Sequence, residues 1–420
     1  KVLGGPVLFA RRGGQALHPA SCVKLVTSAA ALREMGADFR FVTSLHGKAD
    51  GPVMATPLTL VGQGDPSLTR DHLQQFALAI KKKGIAEIPA LVVDESHFDS
   101  KRWPPGFRHP SSSAYATPTG AVSLDGNTVE VVVTPGVEGQ RAAVALLPPS
   151  DHLELAGSVT SGASTSVVVQ ATRVGDKLRV QVSGTVKAGG PPERRWARVL
   201  DPARYAGESF RRYLEGAGIK VGPLRLGSRS GGPELLRHQS KPLSELVTHM
   251  NRTSDNFYAE QILKALAARK SGPPGSTEKG IRIAEGLLGR SGIRRGTYRM
   301  ENGSGLLGNQ RFSPKQLVQL LERLHTLPWL FQAIRDSLAV AGQQGTMAKR
   351  LGSTAAAGRL RGKTGTLKGV SCLAGFVDGP PGRPPIVFAM LHNGFQGPQA
   401  RSRTVQDQMA EAMARYMMGR

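Results

Sequence analysis

The chain has 420 residues and a formal net charge of +24 at pH 7, because 55 lysines and arginines outnumber 31 aspartates and glutamates. Its 40% hydrophobic content excludes global disorder, and its length predicts two or three domains. Two cysteines are too few for a disulfide framework or a four-thiolate zinc site. No apolar run reaches the roughly 20 residues of a membrane-spanning helix. The charge leaves three anionic partners open: nucleic acid, an acidic polymer or a membrane surface.

The first predicted element is a helix over residues 20–35, whose apolar side chains lie on every face, as is typical of a buried helix. Strands are then predicted at 58–61, 90–93, 128–133, 142–147, 166–171 and 178–182. Helices follow at 206–218, 243–250, 256–268 and 314–324, strands at 370–377 and 386–392, and a last helix at 405–418. The two ends of the chain therefore predict one mixed α/β domain, and the middle predicts insertions into it.

The first candidate for chemistry is Ser21 with Lys24 on the predicted first helix. Residues three apart share a helix face. A serine needs a base beside it to act as a nucleophile, and a lysine in an apolar setting can lose its proton and serve as that base. The alternative is an N-cap serine with a solvated lysine. An almost continuously apolar helix around Lys24 makes the solvated lysine less favourable.

Two more motifs lie downstream. Ser254-Asp255-Asn256 begins a helical stretch, and taken alone it favours helix capping, since serine and aspartate are common N-cap residues. Lys363-Thr364-Gly365-Thr366 precedes a strand. It mimics the end of a phosphate-binding P-loop, but Ala357 stands where the first glycine is required, and a strand follows instead of a helix. A P-loop is therefore excluded.

The motifs occur in the order S-x-x-K, S-D-N and K-T-G, and the combination is far more specific than any single motif. With them the chain resembles the class C low-molecular-mass penicillin-binding proteins, the D-alanyl-D-alanine carboxypeptidase/endopeptidase family. The resemblance covers nearly the whole chain. The supporting segments are 17–21, 62–68, 253–256 with 258–260, 302–306, 340–346, and 363–366 with 369–371 and 374–376.

The resemblance implies an α/β (α+β) fold: a transpeptidase domain like that of penicillin-binding proteins and serine β-lactamases, with two smaller, β-rich inserted domains. More than half of the chain separates Ser21 from Ser254, and the class C family fills this gap with its two extra domains. The expected bounds are 1–68 and 237–420 for the penicillin-binding domain, 69–139 and 199–236 for inserted domain II, and 140–198 for inserted domain III.

The resemblance also implies catalytic roles. Ser21 is expected to attack the carbonyl of the penultimate D-alanine of a peptidoglycan stem peptide while Lys24 takes its proton. Lys363 would help to keep Lys24 neutral through like charge. Ser254 would relay a proton to the leaving amine, and Asn256 would orient Lys24 and the substrate amide.

The substrate would be held by the third motif. The backbone N–H groups of Ser21 and Thr366 resemble the oxyanion hole of the family. Thr364 and Thr366, on either side of Gly365 and next to Lys363, would bind the terminal carboxylate. Water would then hydrolyse the acyl-enzyme, with no metal or organic cofactor. The histidines show no metal-ligand spacing, and Ser304 is expected in a structural turn.

The resemblance implies peptidoglycan stem peptides as substrate, β-lactams as covalent inhibitors, and a periplasmic or other extracytoplasmic location. No signal peptide is visible, and the short lead-in before Ser21 suggests a processed or truncated N-terminus. The charge would serve a weak association with cell wall or membrane surface, since no nucleic-acid signature accompanies it. Cys22 and Cys372 are expected to be buried apolar residues rather than a disulfide. The oligomeric state stays open.

Three other functions compete with the DD-peptidase. A β-lactamase or esterase on the same scaffold is disfavoured by the long insertion and by the lack of an evident deacylating glutamate. A non-catalytic cationic envelope-binding protein is disfavoured by the intact set of Ser21, Lys24, Ser254, Asn256 and Lys363. A nucleic-acid-binding protein has only the charge in its favour.

Overall fold

The computed structural model describes residues 1–107, 114–228 and 231–419. The chain divides into two compact units. The first unit comprises Lys1–Arg40, Pro104–Phe107 and Lys241–Arg420, and the second comprises Phe41–Trp103 and Arg108–Ser240. Within the described residues, no helix is both long enough and apolar enough to cross a membrane.

The helices are numbered in chain order. They are α1 (Lys24–Met35), α2 (Arg70–Lys82), α3 (Pro202–Gly216), α4 (Leu243–Thr253), α5 (Asn256–Ser271), α6 (Thr277–Arg290), α7 (Pro314–Leu324), α8 (Pro328–Ser337) and α9 (Gln399–Met417). Short 3₁₀ turns lie at Ala20–Val23, Asp125–Asn127 and Gly345–Met347.

The strands are numbered in the same way. They are β1 (Val42–His46), β2 (Ala49–Asp50), β3 (Val53–Met54), β4 (Leu58–Gly62), β5 (Glu87–Ile88), β6 (Leu91–Asp94), β7 (Thr128–Thr134), β8 (Ala143–Leu147), β9 (Leu153–Gly157), β10 (Thr160–Gly162), β11 (Ser166–Val174), β12 (Lys177–Lys187), β13 (Glu193–Arg198), β14 (Lys220–Val221), β15 (Leu224–Gly227), β16 (Glu234–Gln239), β17 (Ala339–Val340), β18 (Leu360–Leu367), β19 (Val370–Val377) and β20 (Ile386–Asn393).

The first unit combines one antiparallel sheet with helices. The sheet order is β17-β18-β19-β20. Helix α1 is buried along most of its length and packs against α4, α5, α6 and α8. The 3₁₀ turn before α1 contacts strands β18 and β19. The first motif, with Ser21 and Lys24, and the third motif, on β18, therefore meet at the N-terminus of α1.

The second unit holds the other sheets. A five-stranded sheet has the order β15-β6-β4-β1-β16, and α3 packs against its strands β6 and β15 and against α2. Smaller sheets have the orders β14-β5-β3-β2, β13-β7-β8 and β10-β12-β11, with β9 paired to β12. One apolar cluster includes residues of the five-stranded sheet, of both helices and of β7, β11 and β12, among them Leu60, Phe210, Val131 and Val180.

The unit boundaries differ from the expected domain boundaries. The transition lies at Arg40 and Lys241, not at residues 68 and 237. The reason is strand pairing, since β1 pairs antiparallel with both β4 and β16 and so joins the second unit. The separation of the insertion into domains II and III stays a prediction.

Most predicted elements are present with shifted ends. The predicted helix over 20–35 begins as the 3₁₀ turn Ala20–Val23. Helix α3 begins at Pro202, earlier than predicted, because Asp201 accepts a hydrogen bond from the Arg204 N–H at 3.3 Å and caps it. Helices α2, α6 and α8 were not predicted.

Candidate active site

The turn before α1 presents Ser21 beside Lys24. Ala20, directly before Ser21, has a φ of 46°, in the left-handed region that residues other than glycine seldom adopt. Lys24 is the first residue of α1 and is fully buried. Its Nζ donates to Ser21 Oγ at 3.0 Å. The Ser21 and Lys24 side chains are therefore adjacent, as expected, and the solvated-lysine alternative is wrong.

Lys24 Nζ has two further acceptors. It donates to Asn256 Oδ1 at 2.7 Å and to the Ser304 carbonyl at 2.8 Å. Both of these oxygens can only accept hydrogen bonds. A neutral lysine has two hydrogens and one lone pair. If the two acceptors take the hydrogens, the lone pair is left facing Ser21 Oγ, where it can take the serine proton.

The surroundings favour the neutral form of Lys24. Burial lowers its pKa well below the ordinary value of 10.5, and the positive charge of Lys363 lowers it further. The charges of Glu260, Asp255 and Cys22 act in the opposite direction without reversing the shift. The lowered pKa makes the neutral, basic form of Lys24 easier to reach.

Lys363, on β18, connects the third motif to the second. Its Nζ donates to Ser254 Oγ at 2.9 Å and to the Thr364 carbonyl at 2.8 Å. Burial lowers its pKa from 10.5 to about 8. The described hydrogen-bond partners of the two lysine amines are uncharged hydroxyl, side-chain amide and backbone carbonyl oxygens.

Ser254 lies between α4 and α5 with a φ of 63°. Its side chain does not cap α5. Asp255 does, by accepting a hydrogen bond from the Tyr258 N–H at 3.0 Å. The capping interpretation is therefore correct for Asp255 and wrong for Ser254, whose hydroxyl faces Lys363.

Gly365 brings β18 against the turn that holds Ser21. A Cβ at Gly365 would lie 2.8 Å from the Pro19 carbonyl oxygen and 3.1 Å from the Ser21 nitrogen, so a larger residue would push the strand away. Thr366 follows, is exposed, and pairs with Ser371 on β19. Thr364 Oγ1 donates to Thr346 Oγ1 at 2.8 Å. All eight predicted site residues thus belong to segments that meet around Ser21.

Comparison with known proteins agrees with this geometry. The family model described as D-Ala-D-Ala carboxypeptidase 3 (S13) matches residues 1–416. The chain is 33% identical to a D-alanyl-D-alanine carboxypeptidase of Actinomadura sp. (strain R39), over 98% of this chain and 79% of that protein. It is 28% identical to the D-alanyl-D-alanine carboxypeptidase DacB of Haemophilus influenzae, over 93% of this chain and 84% of that protein.

Solved structures give the same result. The crystal structure of penicillin binding protein 4 (dacB) from Haemophilus influenzae matches with a TM-score of 0.82 and 26% identity, over 97% of this chain and 92% of that chain. The same protein complexed with a β-lactam matches with a TM-score of 0.78, over 98% and 93% of the two chains.

The chain belongs to the D-Ala-D-Ala carboxypeptidase 3 (S13) family. The predicted family, the penicillin-binding-protein fold with its extra domains, and the enzyme class of a serine-type D-Ala-D-Ala carboxypeptidase are confirmed.

Two parts of this S13 peptidase site were not predicted as such. Glu260 is fully buried, and its carboxylate accepts hydrogen bonds from the backbone of Gly303 and Ser304. Ser304 lies in the expected turn, but it is its carbonyl that contacts Lys24. The only sequence signal was their presence in family-like segments, which assigns no role to either.

His18 supports the turn of this S13 peptidase from the other side. Its Nδ1 accepts a hydrogen bond from the Ala20 N–H at 3.0 Å, and its Nε2 lies 3.4 Å from the Leu307 carbonyl oxygen. Because a backbone N–H only donates, Nδ1 is unprotonated and Nε2 carries the hydrogen. Burial lowers the pKa of His18 below 6.5, against the opposing effect of the Leu307 carbonyl.

A cleft of about 490 Å³ lies next to this turn. Arg311 and Lys368 are the cationic residues in its lining, which also includes His18 and Asn393. Cys22 and Cys372 are both buried and form no disulfide. Burial raises the pKa of Cys22 to about 12. The expectation of two buried apolar cysteines is therefore confirmed.

Proposed function

We propose that this S13 peptidase cleaves peptidoglycan stem peptides through an acyl-enzyme on Ser21, with Lys24 as the general base. The observation that carries the proposal is the position of Lys24 Nζ: 3.0 Å from Ser21 Oγ, fully buried, and oriented by two acceptors that leave one direction for the serine proton. General-base assistance of this kind contributes about 10²–10⁴-fold in rate.

The second half of the site supports proton delivery to the leaving group. Ser254 Oγ accepts a hydrogen bond from Lys363 Nζ, so its own hydroxyl hydrogen is left for another acceptor. We assign to Ser254 the transfer of a proton to the departing amine. Asn256 orients Lys24, and its place at the start of α5 supports a second contact with the substrate amide.

The strand β18 is proposed to bind the substrate. The close approach of Gly365 to Ser21 N supports an oxyanion hole made by the backbone N–H groups of Ser21 and Thr366. Thr364 and Thr366 beside the Lys363 ammonium suit a terminal carboxylate. The cationic cleft with Arg311 and Lys368 suits a second anionic part of the stem peptide.

A carboxypeptidase releases the terminal D-alanine, and an endopeptidase cleaves the D-alanyl-diamino acid cross-link. The same acyl-enzyme serves both, because only the leaving amine differs. We propose both reactions for this chain, with β-lactams as covalent inhibitors. The complex of the related Haemophilus protein with a β-lactam supports the latter.

The test is labelling with a fluorescent penicillin. Wild-type protein is expected to keep a covalent label, Ser21→Ala to lose it, and Cys22→Ala, the adjacent buried residue, to keep it. Rapid turnover of the penicillin would favour a β-lactamase instead, and an unlabelled wild type would refute the assignment. Release of D-alanine from a pentapeptide, against cleavage of cross-linked dimers, then measures the two peptidase reactions.

We further propose an extracytoplasmic site of action on the cell wall. The net charge of +24 suits a carboxylate-rich polymer and anionic lipids, and such attraction between exposed charges is screened over about 10 Å at 0.1 M salt. Binding to isolated cell wall is expected to weaken as salt is added. Binding that is insensitive to salt would exclude charge as its cause.

A further inference from the structure

Helix α5 carries a buried carboxylate for which the proposed steps have no use. Glu260 lies one helical turn after Asn256 and is fully buried. Its Oε1 accepts from the Ser304 N–H at 2.7 Å, and its Oε2 accepts from the Gly303 N–H at 3.0 Å. Because each carboxylate oxygen accepts from a different backbone N–H, a side-chain amide in this place would turn its own N–H₂ group toward one of the two donors.

The turn that Glu260 holds is also fastened elsewhere. The Gly303 carbonyl accepts from Thr27 Oγ1 at 2.7 Å, on helix α1. Asn302 Oδ1 accepts from the Gly305 N–H at 2.9 Å. This N–H and the Ser304 carbonyl belong to the same peptide group, so the hydrogen bond also fixes the direction of the carbonyl. Gly305, with a φ of 76°, packs so closely on the Ala20 carbonyl oxygen that a Cβ would lie 1.9 Å from it.

The fixed turn directs one backbone group at the site: the Ser304 carbonyl, which is buried and accepts from Lys24 Nζ at 2.8 Å. Asn256 Oδ1 supplies the second acceptor from the same face of α5. Together they determine which direction is left for the lysine lone pair. If the carbonyl rotated away, a hydrogen of Lys24 Nζ could point toward Ser21 Oγ. The lone pair would then no longer face the serine proton, and Lys24 could not act as its base.

We propose that Glu260 is a positioning residue of this peptidase: its carboxylate holds the Gly303 and Ser304 backbone so that the Ser304 carbonyl directs the Lys24 lone pair at Ser21 Oγ. The inference rests on the proposed roles of Ser21 and Lys24, and it adds Glu260 as the residue that orients Lys24 toward Ser21.

The charge of Glu260 has a separate consequence for pH. Burial and Lys363 lower the pKa of Lys24, while the negative charges of Glu260 and Asp255, and Cys22, raise it. Burial also raises the pKa of Glu260 itself, against hydrogen bonds from Ser304 and Gly303 and the charge of Lys24. Removing the Glu260 charge should therefore lower the pKa of Lys24, which moves the acid limb of acylation to lower pH.

The experiment measures the acylation rate by fluorescent penicillin against pH for wild type, Glu260→Gln and Glu260→Asp. Leu266→Ala is the matched control, because Leu266 is fully buried on the same helix α5 but lies six positions after Glu260, on a different face of the helix. We expect Glu260→Gln to acylate about 100-fold more slowly at the optimum, with its acid limb at lower pH. Glu260→Asp should be slower with an unshifted limb, and Leu266→Ala should retain the wild-type rate and profile.

The outcomes separate the inference from the proposed function. A wild type that takes no label refutes the roles of Ser21 and Lys24. If wild type is labelled and Glu260→Gln has the same acylation rate and the same acid limb as wild type, the inference about Glu260 is refuted and the proposed function is not. If Glu260→Gln does not fold, Glu260→Asp carries the test, and a wild-type rate in that variant would overturn the proposal. A Leu266→Ala variant as slow as Glu260→Gln would also overturn it, since loss of packing would then be sufficient.

Discussion

The two site lysines of the first unit and two partly buried arginines of the second unit are held in opposite ways. In the first, Lys24 and Lys363 are fully buried among neutral acceptors, and the pKa of each is lowered. In the second, Arg70 forms ion pairs with Asp125 at 2.7 Å and Glu130 at 3.1 Å. Burial acts to lower the pKa of Arg70, but the two carboxylates outweigh it and the pKa rises.

Arg102 repeats the pattern of the second unit, between Glu95 and Asp201. Its pKa also rises, since the carboxylates outweigh burial. A cation paired with carboxylates keeps its proton and stabilises the fold. A cation buried among hydroxyl and carbonyl groups lowers the stability of the protein, because the cost of its desolvation is not offset. The same environment lowers its pKa toward the range that is useful in catalysis. The comparison therefore separates cations that are expected to stabilise the protein from the two lysines that are proposed to take part in the reaction.

The largest expected effect comes from removing the base. Lys24→Met should lower the penicillin acylation rate by about 10³-fold or more. Its thermal stability should be unchanged or higher, because an apolar side chain replaces a buried group without a paired charge. Stopped-flow acylation and thermal melting measure the two effects. A clear loss of stability would show that Lys24 serves the fold as Arg70 does.

The converse change lies in the second unit. Asp125→Asn should lower the free energy of unfolding by about 2 kcal/mol, because it weakens a charge-assisted hydrogen bond that Arg70 Nε donates at 2.7 Å. The acylation rate should remain that of the wild type. Urea unfolding followed by circular dichroism checks the first value, and penicillin labelling the second. An acylation defect in folded Asp125→Asn would contradict the separation of the two roles.

The two site lysines should produce a bell-shaped pH profile. Lys24 must be neutral to accept the serine proton, so activity should fall when the pH drops below its lowered pKa. Lys363 should be charged to bind the carboxylate of the substrate. Its pKa of about 8 therefore places the alkaline limb near pH 8, and activity should fall about tenfold for each pH unit above it. In Lys363→Arg the alkaline limb should disappear, because a guanidinium stays protonated. A limb that persists near pH 8 would belong to another group.

The smallest expected effect concerns His18. Its pKa is lower in the folded protein than its ordinary value of 6.5, mainly through burial. As the pH falls through 6.5, His18 therefore binds a proton more readily in the unfolded chain than in the folded protein. The free energy of unfolding decreases as the pH falls. His18→Asn keeps an acceptor for the Ala20 N–H but does not titrate, so it should lose less stability between pH 7 and 5. Unfolding at both pH values measures the difference, and equal losses in the two proteins would exclude His18 as the titrating group.

Much of the site could be predicted because its groups lie in short motifs. The apolar surroundings of Lys24 along the sequence already indicated burial, and Ser21 three residues earlier indicated its partner. The sequence does not distinguish Ser254 from Asp255 as the helix cap, since both residue types are good caps and only the fold shows which one caps α5. Glu260 gave no sequence signal for its role, because its partners are backbone groups of residues 303 and 304.

The unpredicted helices have a similar explanation. Helix α6 contains Gly280, which lowers local helix propensity. The glycine is required by packing, because a Cβ there would lie 2.4 Å from the Leu263 carbonyl oxygen of α5. The boundary between the two units likewise depends on tertiary pairing, since the partners of β1 include β16, which lies far along the chain.

The sequence by itself determined the family, the enzyme class and the list of reactive groups, because each motif holds its chemistry within a few residues and the order of the motifs is specific. Only the tertiary structure decided which groups share a proton. Lys24 and Asn256 lie 232 positions apart, and the pKa of a buried amine depends on the solvent it has lost and on the charges that the fold brings near it.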